Sequence, residues 1–575
     1  MDSRTAAHVL SQISTLLDLA GAPRFNARAY KTASRAILEI GSDDLGPLLN
    51  SGDLAKTKGV GPATLSVIRE LVETGESSYL NRLSDSTPKG LYELLKVPGL
   101  GGTKIHQIQE ALGVESLDDL EAAALDGRLA KLPRFGPKTA ERILKGIEFA
   151  RSSSRKTLYH RGLMQALVVR EHVARHPDVI EAIIAGSVRR HNEIIGDVDI
   201  VAVCKADPQE VAASFAEGAG VKRAKRTGGF VTITYVDEVC VDILCVPADS
   251  AGYAVWRMTG NDAHIKDVHR HAAKKRIKLT DDGVIGRGGK AVPTPSETHF
   301  FKALGLQQIP PELREGRGEV EAAAAGTLPT LVEENDIRGA LHCHSVYSDG
   351  TSTIAELAAG ARKRGWDYVG ITDHSESAFY AGGLKRDKLA EQHEEIDRLN
   401  AKNRGFRILK GIEADILADG RIDYDDEILD LFDYVVGSIH SRFSMDGAAM
   451  TDRVLRALDD PHLTVLGHPT GRLLLSREPY PIDVEAVIEK AAETGTAIEL
   501  NADPHRLDID WRHCRAARDR GVLIEIGPDS HSVNSLDNTF VGVGLARKGW
   551  LRSEDVLNTR SAEEVLAFAK KKRDK

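Results

Sequence analysis

The chain has 575 residues, of which 42% are hydrophobic and 28% are charged, and its formal net charge is −9. Domains usually run about 100–200 residues, so this length excludes a single hydrophobic core and predicts several domains. The composition is ordinary for a soluble globular protein. The absence of any apolar run of about 18 residues argues against a membrane-spanning helix.

The five cysteines show no CxxC spacing, and the N-terminus has no basic region leading into an apolar stretch. Both features predict a cytoplasmic protein with reduced thiols and no signal peptide. The acidic excess lies in the C-terminal part, because from Asp336 onward 33 Lys and Arg stand against 42 Asp and Glu. The preceding part is neutral, but it has basic clusters such as residues 222–226 and 270–278. Such patches fit polyanion binding, although solvated helix faces explain each one taken singly.

Residues 1–155 are predicted to form short helices interrupted by three glycine-rich hairpins. The hairpins are KGVGPATLSVI (58–68), VPGLGGTKIHQI (97–108) and LPRFGPKTAERIL (132–144). Each predicts a helix-hairpin-helix motif, in which glycines permit a tight turn and expose N–H groups at a helix N-terminus. Such a turn binds DNA phosphate without reading sequence. The third is degenerate, with Arg134-Phe135 at the first glycine position. The candidate DNA-binding residues are Gly59, Gly61, Gly99, Gly101, Gly136 and Lys138.

From Leu158 onward, short β-branched runs predict strands, and one segment has catalytic character. GSVRRHNEIIGDVDIV begins at Gly186, and its Gly-Ser turn offers backbone N–H groups to phosphate. Asp197 and Asp199 are two residues apart, so both carboxylates face one side of a strand. A later strand, CVDILCV, carries Asp242. Three such carboxylates can hold two Mg²⁺ ions for in-line attack of a 3′-hydroxyl on a nucleotide.

Residues 316–335 are predicted to be a connector, and beyond Asp336 seven strand-like runs alternate with helices. This pattern predicts a parallel barrel, whose strand C-termini share one face. Six of the seven strands end in a side chain that can ligate metal. With Asp349 in the first loop, the candidate ligands are His342, His344, Asp349, His374, Glu413, His440, His468, Asp529 and His531.

Nine ligands of this kind are too many for one tetrahedral zinc ion and suit two or three divalent ions. Imidazole and carboxylate fit zinc, manganese or iron. These ions activate water and neutralise phosphate oxygens, so the set predicts a phosphoesterase. Arg442 follows His440 and is a candidate phosphate clamp. A single histidine of this kind is usually structural, but nine at strand ends in register are not explained that way.

The motifs HCHSVYSDG, ITDH, GIE, SIH, GHP and DSH resemble those of the polymerase and histidinol phosphatase (PHP) family. The resemblance covers residues 336–575 and includes all nine ligand positions. It implies a distorted seven-stranded barrel, up to three Mn²⁺ or Zn²⁺ ions and phosphoesterase activity.

The GS, RR and GDVD motifs, followed by Asp242, resemble the palm of family X DNA polymerases. The resemblance implies that Asp197, Asp199 and Asp242 bind two Mg²⁺ or Mn²⁺ ions. It also implies that Ser187 and Arg190, beside Gly186, hold the β and γ phosphates of a nucleotide. TGNDAH (259–264) matches the turn at the start of the thumb. There Gly260 would lie near the sugar and Asp262 near the base.

Several positions depart from the family pattern, and one of them is His191, which replaces a common glycine. Arg257-Met258 replaces the usual Tyr-Phe pair, and Ile265 replaces an asparagine that often contacts the base or sugar. Val67 stands where relatives with lyase activity have a Schiff-base lysine, so we expect no lyase activity by that route. The metal chemistry is therefore complete, but the nucleotide pocket is altered. A slow, manganese-favouring or ribonucleotide-tolerant polymerase fits these changes, and so does a weakened one.

The predicted fold is multidomain α and α/β. It comprises N-terminal helix-hairpin-helix domains, an α+β nucleotidyltransferase-type palm with a thumb, and a C-terminal distorted (β/α)7 PHP barrel. The expected segments are a DNA-end-binding domain (1–80), fingers (81–155), palm (156–248), thumb (249–315), linker (316–335) and barrel (336–575).

The predicted function is short-gap filling in DNA repair by a family X polymerase fused to a 3′–5′ exonuclease or 3′-end-processing phosphoesterase, and the protein is expected to be a monomer. Abasic-site cleavage by the same barrel site fits as well. The predicted partners are gapped, nicked or 3′-recessed DNA and deoxynucleoside triphosphates, and no membrane. Two alternatives are a small-molecule phosphatase and a DNA-binding nuclease with a weakened palm.

Overall fold

The chain divides into two compact units, Met1–Arg155 and Lys156–Lys575. The structure is a computed structural model that describes residues 1–575 except 2, 41, 43, 98, 154–155, 219–220, 236–238, 282, 404 and 575. Within the described residues, no helix is long and apolar enough to cross a membrane.

Within the described residues of the unit Met1–Arg155, all regular elements are helices. Its helices are α1 (Ser3–Leu19), α2 (Arg24–Ile40), α3 (Gly46–Asn50), α4 (Asp53–Lys56), α5 (Pro62–Thr74), α6 (Ser78–Ser86), α7 (Lys89–Leu94), α8 (Gly102–Leu112), α9 (Leu117–Leu125) and α10 (Pro137–Ser153). Helix α1 contributes to two apolar clusters. Leu10 and Ile13 pack with α2 and α5, whereas Leu16 and Leu19 pack with α7 to α10. One helix therefore joins the segments 1–80 and 81–155 into a single unit.

The second unit begins with a five-stranded sheet. Its first elements are β1 (Thr157–Leu158), α11 (Tyr159–Ala174), β2 (Val179–Ile184), α12 (Gly186–Arg189), β3 (Ile194–Ile195), β4 (Val198–Cys204), α13 (Pro208–Ala216), β5 (Val221–Thr227), β6 (Phe230–Tyr235) and β7 (Cys240–Pro247). The sheet order is β2-β4-β7-β6-β5, in which only β4 and β7 run parallel. Because side chains alternate along β4, Ile200 packs with α11 and α13 on one face and Val201 packs on the other.

A smaller helical region with a three-stranded antiparallel sheet follows. Its elements are α14 (Ala251–Thr259), α15 (Asp262–Lys274), β8 (Lys278–Thr280), β9 (Gly283–Ile285), β10 (Ala291–Val292), α16 (Glu297–Leu304) and α17 (Glu319–Ala325). Trp256, Phe300 and Phe301 form its core. Helix α17 lies in the predicted connector, yet Val320 packs into this core and the buried Glu319 carboxylate lies 2.7 Å from His264 Nδ1. The connector is therefore folded rather than extended.

The C-terminal part is a parallel seven-stranded barrel. Its elements are β11 (Gly339–Ala340), α18 (Ile354–Lys363), β12 (Tyr368–Ile371), α19 (Arg386–Lys402), β13 (Arg407–Asp415), α20 (Asp426–Leu429), β14 (Tyr434–Ser438), α21 (Gly447–Leu458), β15 (Leu463–Leu466), α22 (Val484–Thr494), β16 (Ala497–Asn501), α23 (Trp511–Asp519), β17 (Ile524–Gly527), α24 (Asn538–Lys548) and α25 (Ala562–Arg573). The strands lie in sequence order, and beyond the strand ends His344 N donates to Ser530 O at 2.7 Å. This bond joins the first and last strand segments, and the arrangement confirms the predicted fold class.

Glycines make room for large side chains inside the barrel. Tyr368 and Tyr434 are fully buried there with Leu409 and Val436. A Cβ at Gly370 would lie 1.9 Å from the Tyr434 hydroxyl, so a larger residue would displace that ring. The filled interior forms a floor beneath the strand C-termini, where the candidate metal ligands lie.

Candidate metal centres and DNA-binding turns

Glu413, near the C-terminal end of β13, is the centre of the cluster on the barrel rim. Its side chain is 1% exposed, and five imidazoles surround its carboxylate. The oxygen–nitrogen distances are 2.9 Å to His374 Nδ1, 3.0 Å to His468 Nε2, 3.3 Å to His440 Nε2, 3.5 Å to His342 Nε2 and 3.6 Å to His344 Nε2. Four strand ends thus converge on the carboxylate of a fifth strand, as the shared rim of a parallel barrel predicts.

Eight of the nine predicted ligands fall into three overlapping groups, in each of which the ligand atoms lie within 4.8 Å of one another. The groups are His344, Asp349, His374 and His531; then His342, His344 and Asp529; then His374, Glu413 and His440. Only His468 belongs to none of the three, and its Nε2 still contacts Glu413. Three such groups fit the three ions implied by the sequence.

The side chains of this cluster are chemically suited to bind metal ions. His342 Nε2 and both ring nitrogens of His344 are buried without a hydrogen-bond partner. A buried polar atom without a partner costs free energy, so these nitrogens favour a ligand that accepts their lone pairs. Imidazole nitrogens among carboxylates are a donor set for zinc, manganese or iron.

The electrostatics of the cluster are those of closely packed opposite charges. Burial alone would lower the pKa of His374, but Glu413 and Asp349 raise it to about 10. Burial likewise opposes the shift of His440, whose pKa Glu413 and Asp415 raise to about 9. Burial and neighbouring cations lower the pKa of His344 to about 4. Some of the histidines that contact Glu413 are therefore protonated and others are neutral. A bound divalent cation would replace the protons.

Three residues that the sequence analysis missed orient the predicted ligands. Glu499 Oε1 lies 2.5 Å from His342 Nδ1, and Asp415 Oδ1 lies 2.7 Å from His440 Nδ1. Asn501 Nδ2 donates to Asp529 Oδ2 at 3.0 Å. Such partners fix ring orientation and raise ligand basicity. The alternation rule could have found them, because Asp415 follows Glu413 by two residues and Glu499 and Asn501 alternate on β16.

The cation beside the candidate metal ligands is Arg506 and not Arg442, which was the predicted phosphate clamp. Arg442 is exposed and has a positive φ of 58°. Arg506, in the loop after β16, places Nε 3.4 Å from Asp529 Oδ2. Because no motif marks residue 506, the sequence offered no signal for it beyond its place after a strand end.

The second candidate centre is built on the parallel pair β4 and β7. Asp199 and Asp242 are direct partners in that pair, and Asp197 precedes β4. Burial and the two neighbouring carboxylates raise the pKa of Asp199 to about 7. Asp242 Oδ1 is buried without a hydrogen-bond partner. Arg190 offsets the charge of these clustered carboxylates only in part, so they fit divalent ions, although the three are not gathered as tightly as the barrel groups.

The Gly-Ser turn lies directly against this carboxylate pair. Gly186 has a φ of 61°, and a Cβ there would lie 1.7 Å from Asp199 Oδ2, so only glycine fits. Ser187 Oγ is buried without a hydrogen-bond partner. The turn therefore brings a free hydroxyl and helix α12 to the edge of the carboxylates.

Arg190 is not free in this structure. Its Nε lies 2.9 Å from Glu315 Oε1, and its Nη1 donates to the Thr259 carbonyl at 2.6 Å. Lys548 of the barrel helix α24 also contacts Glu315, and it donates to the Arg190 carbonyl at 2.9 Å. The predicted phosphate-binding arginine thus shares one carboxylate with a lysine of the barrel.

The predicted thumb turn joins α14 to α15. Gly260 ends α14, and Asp262 begins α15. Two of the residues that depart from the family pattern have contacts of their own here. Arg257 Nη2 lies 2.6 Å from Asp281 Oδ1, and Ile265 packs against the core that contains Trp256. These contacts give both side chains structural roles.

The three hairpins share one backbone geometry. Gly59, Gly99 and Arg134 all have positive φ, at 99°, 81° and 75°. Each is followed after one residue by an exposed glycine, and then α5, α8 or α10 begins. Lys138 is exposed in the first turn of α10. Val67, by contrast, is 5% exposed and packs in the core of its unit.

Comparisons with known proteins agree with this division of the chain. The DNA polymerase beta thumb model matches residues 254–315, and the PHP domain model matches residues 340–502. The SAM-like helix-hairpin-helix tandem model matches residues 91–148, which contain the second and third hairpins.

Relatives of two kinds match the chain. A protein of Caldanaerobacter subterraneus described as "Probable phosphatase" is 30% identical over 249 residues, which cover 40% of this chain and 91% of that protein. A protein of the same description from Syntrophotalea carbinolica is 33% identical over 243 residues, covering 40% of this chain and 94% of that protein. The DNA polymerase/3'-5' exonuclease PolX of Bacillus subtilis is 36% identical over 575 residues, covering 99% of this chain and all of that protein. The chain therefore belongs to the PolX family, the family X DNA polymerases that carry a C-terminal PHP domain.

Proposed function

We propose that this protein is a DNA repair enzyme with two metal-dependent sites, a nucleotidyltransferase palm that fills short gaps and a PHP barrel that removes nucleotides from 3′ ends. One observation carries the proposal. The carboxylate pair Asp199 and Asp242 and the histidine cluster around Glu413 lie in one compact unit of a chain whose full-length relative is named for both activities. Both reactions break or form a phosphodiester bond.

In the palm, Asp197, Asp199 and Asp242 are the proposed ligands of two Mg²⁺ or Mn²⁺ ions. Gly186 and Ser187 would offer an N–H and a hydroxyl to the triphosphate, and Arg190 would pair with its phosphates after leaving Glu315. In the barrel, the nine residues around Glu413 are the proposed ligands of up to three Mn²⁺ or Zn²⁺ ions. Bound ions at both sites would neutralise phosphate oxygens and lower the pKa of an attacking hydroxyl or water.

The substrate is proposed to be gapped, nicked or 3′-recessed DNA, with deoxynucleoside triphosphates for the palm. Support comes from the exposed glycine turns at Gly61, Gly101 and Gly136, where N–H groups at a helix N-terminus can bind backbone phosphate. A cytoplasmic monomer with the six segments given above is part of the same proposal.

A small-molecule phosphatase is the second candidate, favoured by the relatives that match only the barrel. A labelled 3′-recessed duplex and histidinol phosphate, each incubated with the full chain and Mn²⁺, separate the two. We expect stepwise shortening of the DNA strand and little release of inorganic phosphate from the small ester. The reverse pattern would contradict a DNA-end nuclease.

A nuclease with a weakened palm is the third candidate, favoured by Arg257-Met258 at the nucleotide pocket. Primer extension across a one-nucleotide gap, with Mg²⁺ and separately with Mn²⁺, tests it. We expect extension with at least one metal. A chain that binds the gapped duplex but extends no primer with either metal would have a structural palm.

A further inference from the structure

Two aromatic side chains stand exposed beside the barrel's metal ligands. Phe379 is 85% exposed and Tyr380 is 60% exposed, on a short helical turn between β12 and α19. Leaving a large apolar ring in water forgoes the free energy of its burial, and an exposed aromatic group near an active site commonly marks a binding surface.

The turn that carries these rings is anchored on both sides. Ala378 is fully buried, and Ala381 N donates to its carbonyl at 2.9 Å. Just before the turn, the Ser377 hydroxyl and backbone N–H both donate to Asp423 Oδ2, at 2.7 and 2.9 Å. Burial and hydrogen bonds therefore hold the backbone that carries the two rings in place.

Tyr380 lies next to the metal ligands. Its ring centroid is 6.4 Å from those of both His374 and His440. Phe379 extends the surface outward, with its ring 5.9 Å from Tyr380 in an edge-on arrangement. A phosphodiester at the metal ligands would place its attached nucleoside within reach of these rings.

Building on the proposed exonuclease activity, we propose that Phe379 and Tyr380 form a stacking surface for the base of the 3′-terminal nucleotide. Every base has a π-face, so aromatic stacking holds single-stranded nucleic acid with little sequence preference. The two rings are specificity-determining residues that bind the nucleotide to be released.

The test pairs a change in the protein with a change in the DNA. The variants are Phe379→Ala and Tyr380→Ala, and the control is Leu431→Ala, which removes a 58% exposed apolar side chain just before β14, at the opposite ends of the strands from the ligands. The substrates are two single-stranded oligonucleotides, one with an ordinary 3′-terminal nucleotide and one whose terminal nucleotide lacks its base. Release of the terminal nucleotide is measured as kcat/KM with Mn²⁺.

We expect each ring deletion to lower kcat/KM on the ordinary end by about 5- to 100-fold, the range typical of one lost base–aromatic stack. Removal of the base should cost the wild type a similar factor, and the two losses should not add, because they remove the same contact. Tyr380→Phe, which keeps the ring, should restore most of the loss of Tyr380→Ala. Leu431→Ala should match the wild type.

Equal losses on both substrates, or no loss on either, would overturn the stacking surface while leaving the exonuclease intact. A wild-type protein that releases no nucleotide from any DNA end would overturn the proposed function, and the stacking surface with it. The two failures are therefore distinguishable from the wild-type rate alone.

Discussion

Asp199 is a carboxylate that the fold holds in an unfavourable electrostatic environment. Burial and the neighbouring Asp197 and Asp242 raise its pKa from 3.8 to about 7. A carboxyl group whose folded-state pKa is raised costs stability above that pKa, and the cost vanishes below the unfolded value. The native protein therefore tolerates like charges at a site that we propose to bind metal ions.

Replacing this carboxylate should stabilise the protein and abolish its polymerase. In EDTA at pH 8, we expect Asp199→Asn to raise the midpoint of thermal unfolding, because the repulsion is removed. The gain should shrink as pH falls from 7 towards 4, where the wild-type group is protonated. Primer extension should be lost at every pH. An unchanged or lowered midpoint in EDTA at pH 8 would show that the three carboxylates do not repel one another.

At this scale, the structure brings the predicted ligands together, but the residues that orient them were not predicted. Spacing by two along strands identified His342 and His344, which both face Asp529, with Nε2 to Oδ1 distances of 3.7 and 3.2 Å. Alternation along β16 could have placed Glu499 on the rim, but its partner His342 was not predictable because it lies 157 residues away in sequence. Arg506 was missed for the same reason, since only the folded rim brings it to Asp529.

The hairpin turns show how one element tolerates different residues. Arg134 holds the left-handed conformation that Gly59 and Gly99 hold in the other two turns. For an L-residue this conformation costs about 1–2 kcal/mol, so an arginine there indicates a compensating use. An exposed guanidinium beside a phosphate-binding turn can contact the DNA backbone.

We predict that Arg134→Gly has opposite effects on stability and on binding. Relief of the left-handed strain should raise the free energy of unfolding by about 1 kcal/mol. Binding to a gapped duplex should weaken at low salt, and the slope of log affinity against log salt should fall by about 0.9, as for one lost phosphate contact. The checks are denaturant unfolding and fluorescence anisotropy over a salt series. An unchanged slope would show that Arg134 does not contact DNA.

Whole elements were predicted well where their pattern is local. Seven β-branched runs became seven parallel strands, and three glycine hairpins became three helix-starting turns. Helix α17 was not predicted in the alanine-rich connector, because its stability comes from tertiary contacts such as the buried pair of Glu319 with His264. No local sequence window contains that pair.

At the scale of the molecule, the barrel and the palm are packed against each other within one unit. Palm residue Glu193 lies 3.7 Å from Arg472 Nη2 and 3.3 Å from Arg512 Nη1 of the barrel. His191 packs against Gly544 of α24, where a Cβ would lie 1.9 Å from its ring. This explains the departure at His191 from the family's usual glycine, and no sequence pattern could reveal it.

Lys548 connects the barrel to the proposed nucleotide site most directly. It is buried, and it shares Glu315 with Arg190. Removing one cation should leave Glu315 to hold Arg190 more tightly, so Lys548→Met should raise the KM for deoxynucleoside triphosphate several-fold. Lys548→Arg should be milder. Exonuclease rates and thermal unfolding serve as controls, and an unchanged KM in a folded Lys548→Met protein would contradict the coupling.

We propose that the chain holds two separate metal-dependent sites that act on the same DNA end. To test this, a gapped duplex labelled at the 5′ end of the primer is incubated with Mn²⁺ and nucleotides. Wild type, Asp197→Ala and His344→Ala proteins are compared. We expect wild type to extend and shorten the primer, Asp197→Ala only to shorten it, and His344→Ala only to extend it. Loss of both activities in either variant, or of neither in both, would contradict two independent sites.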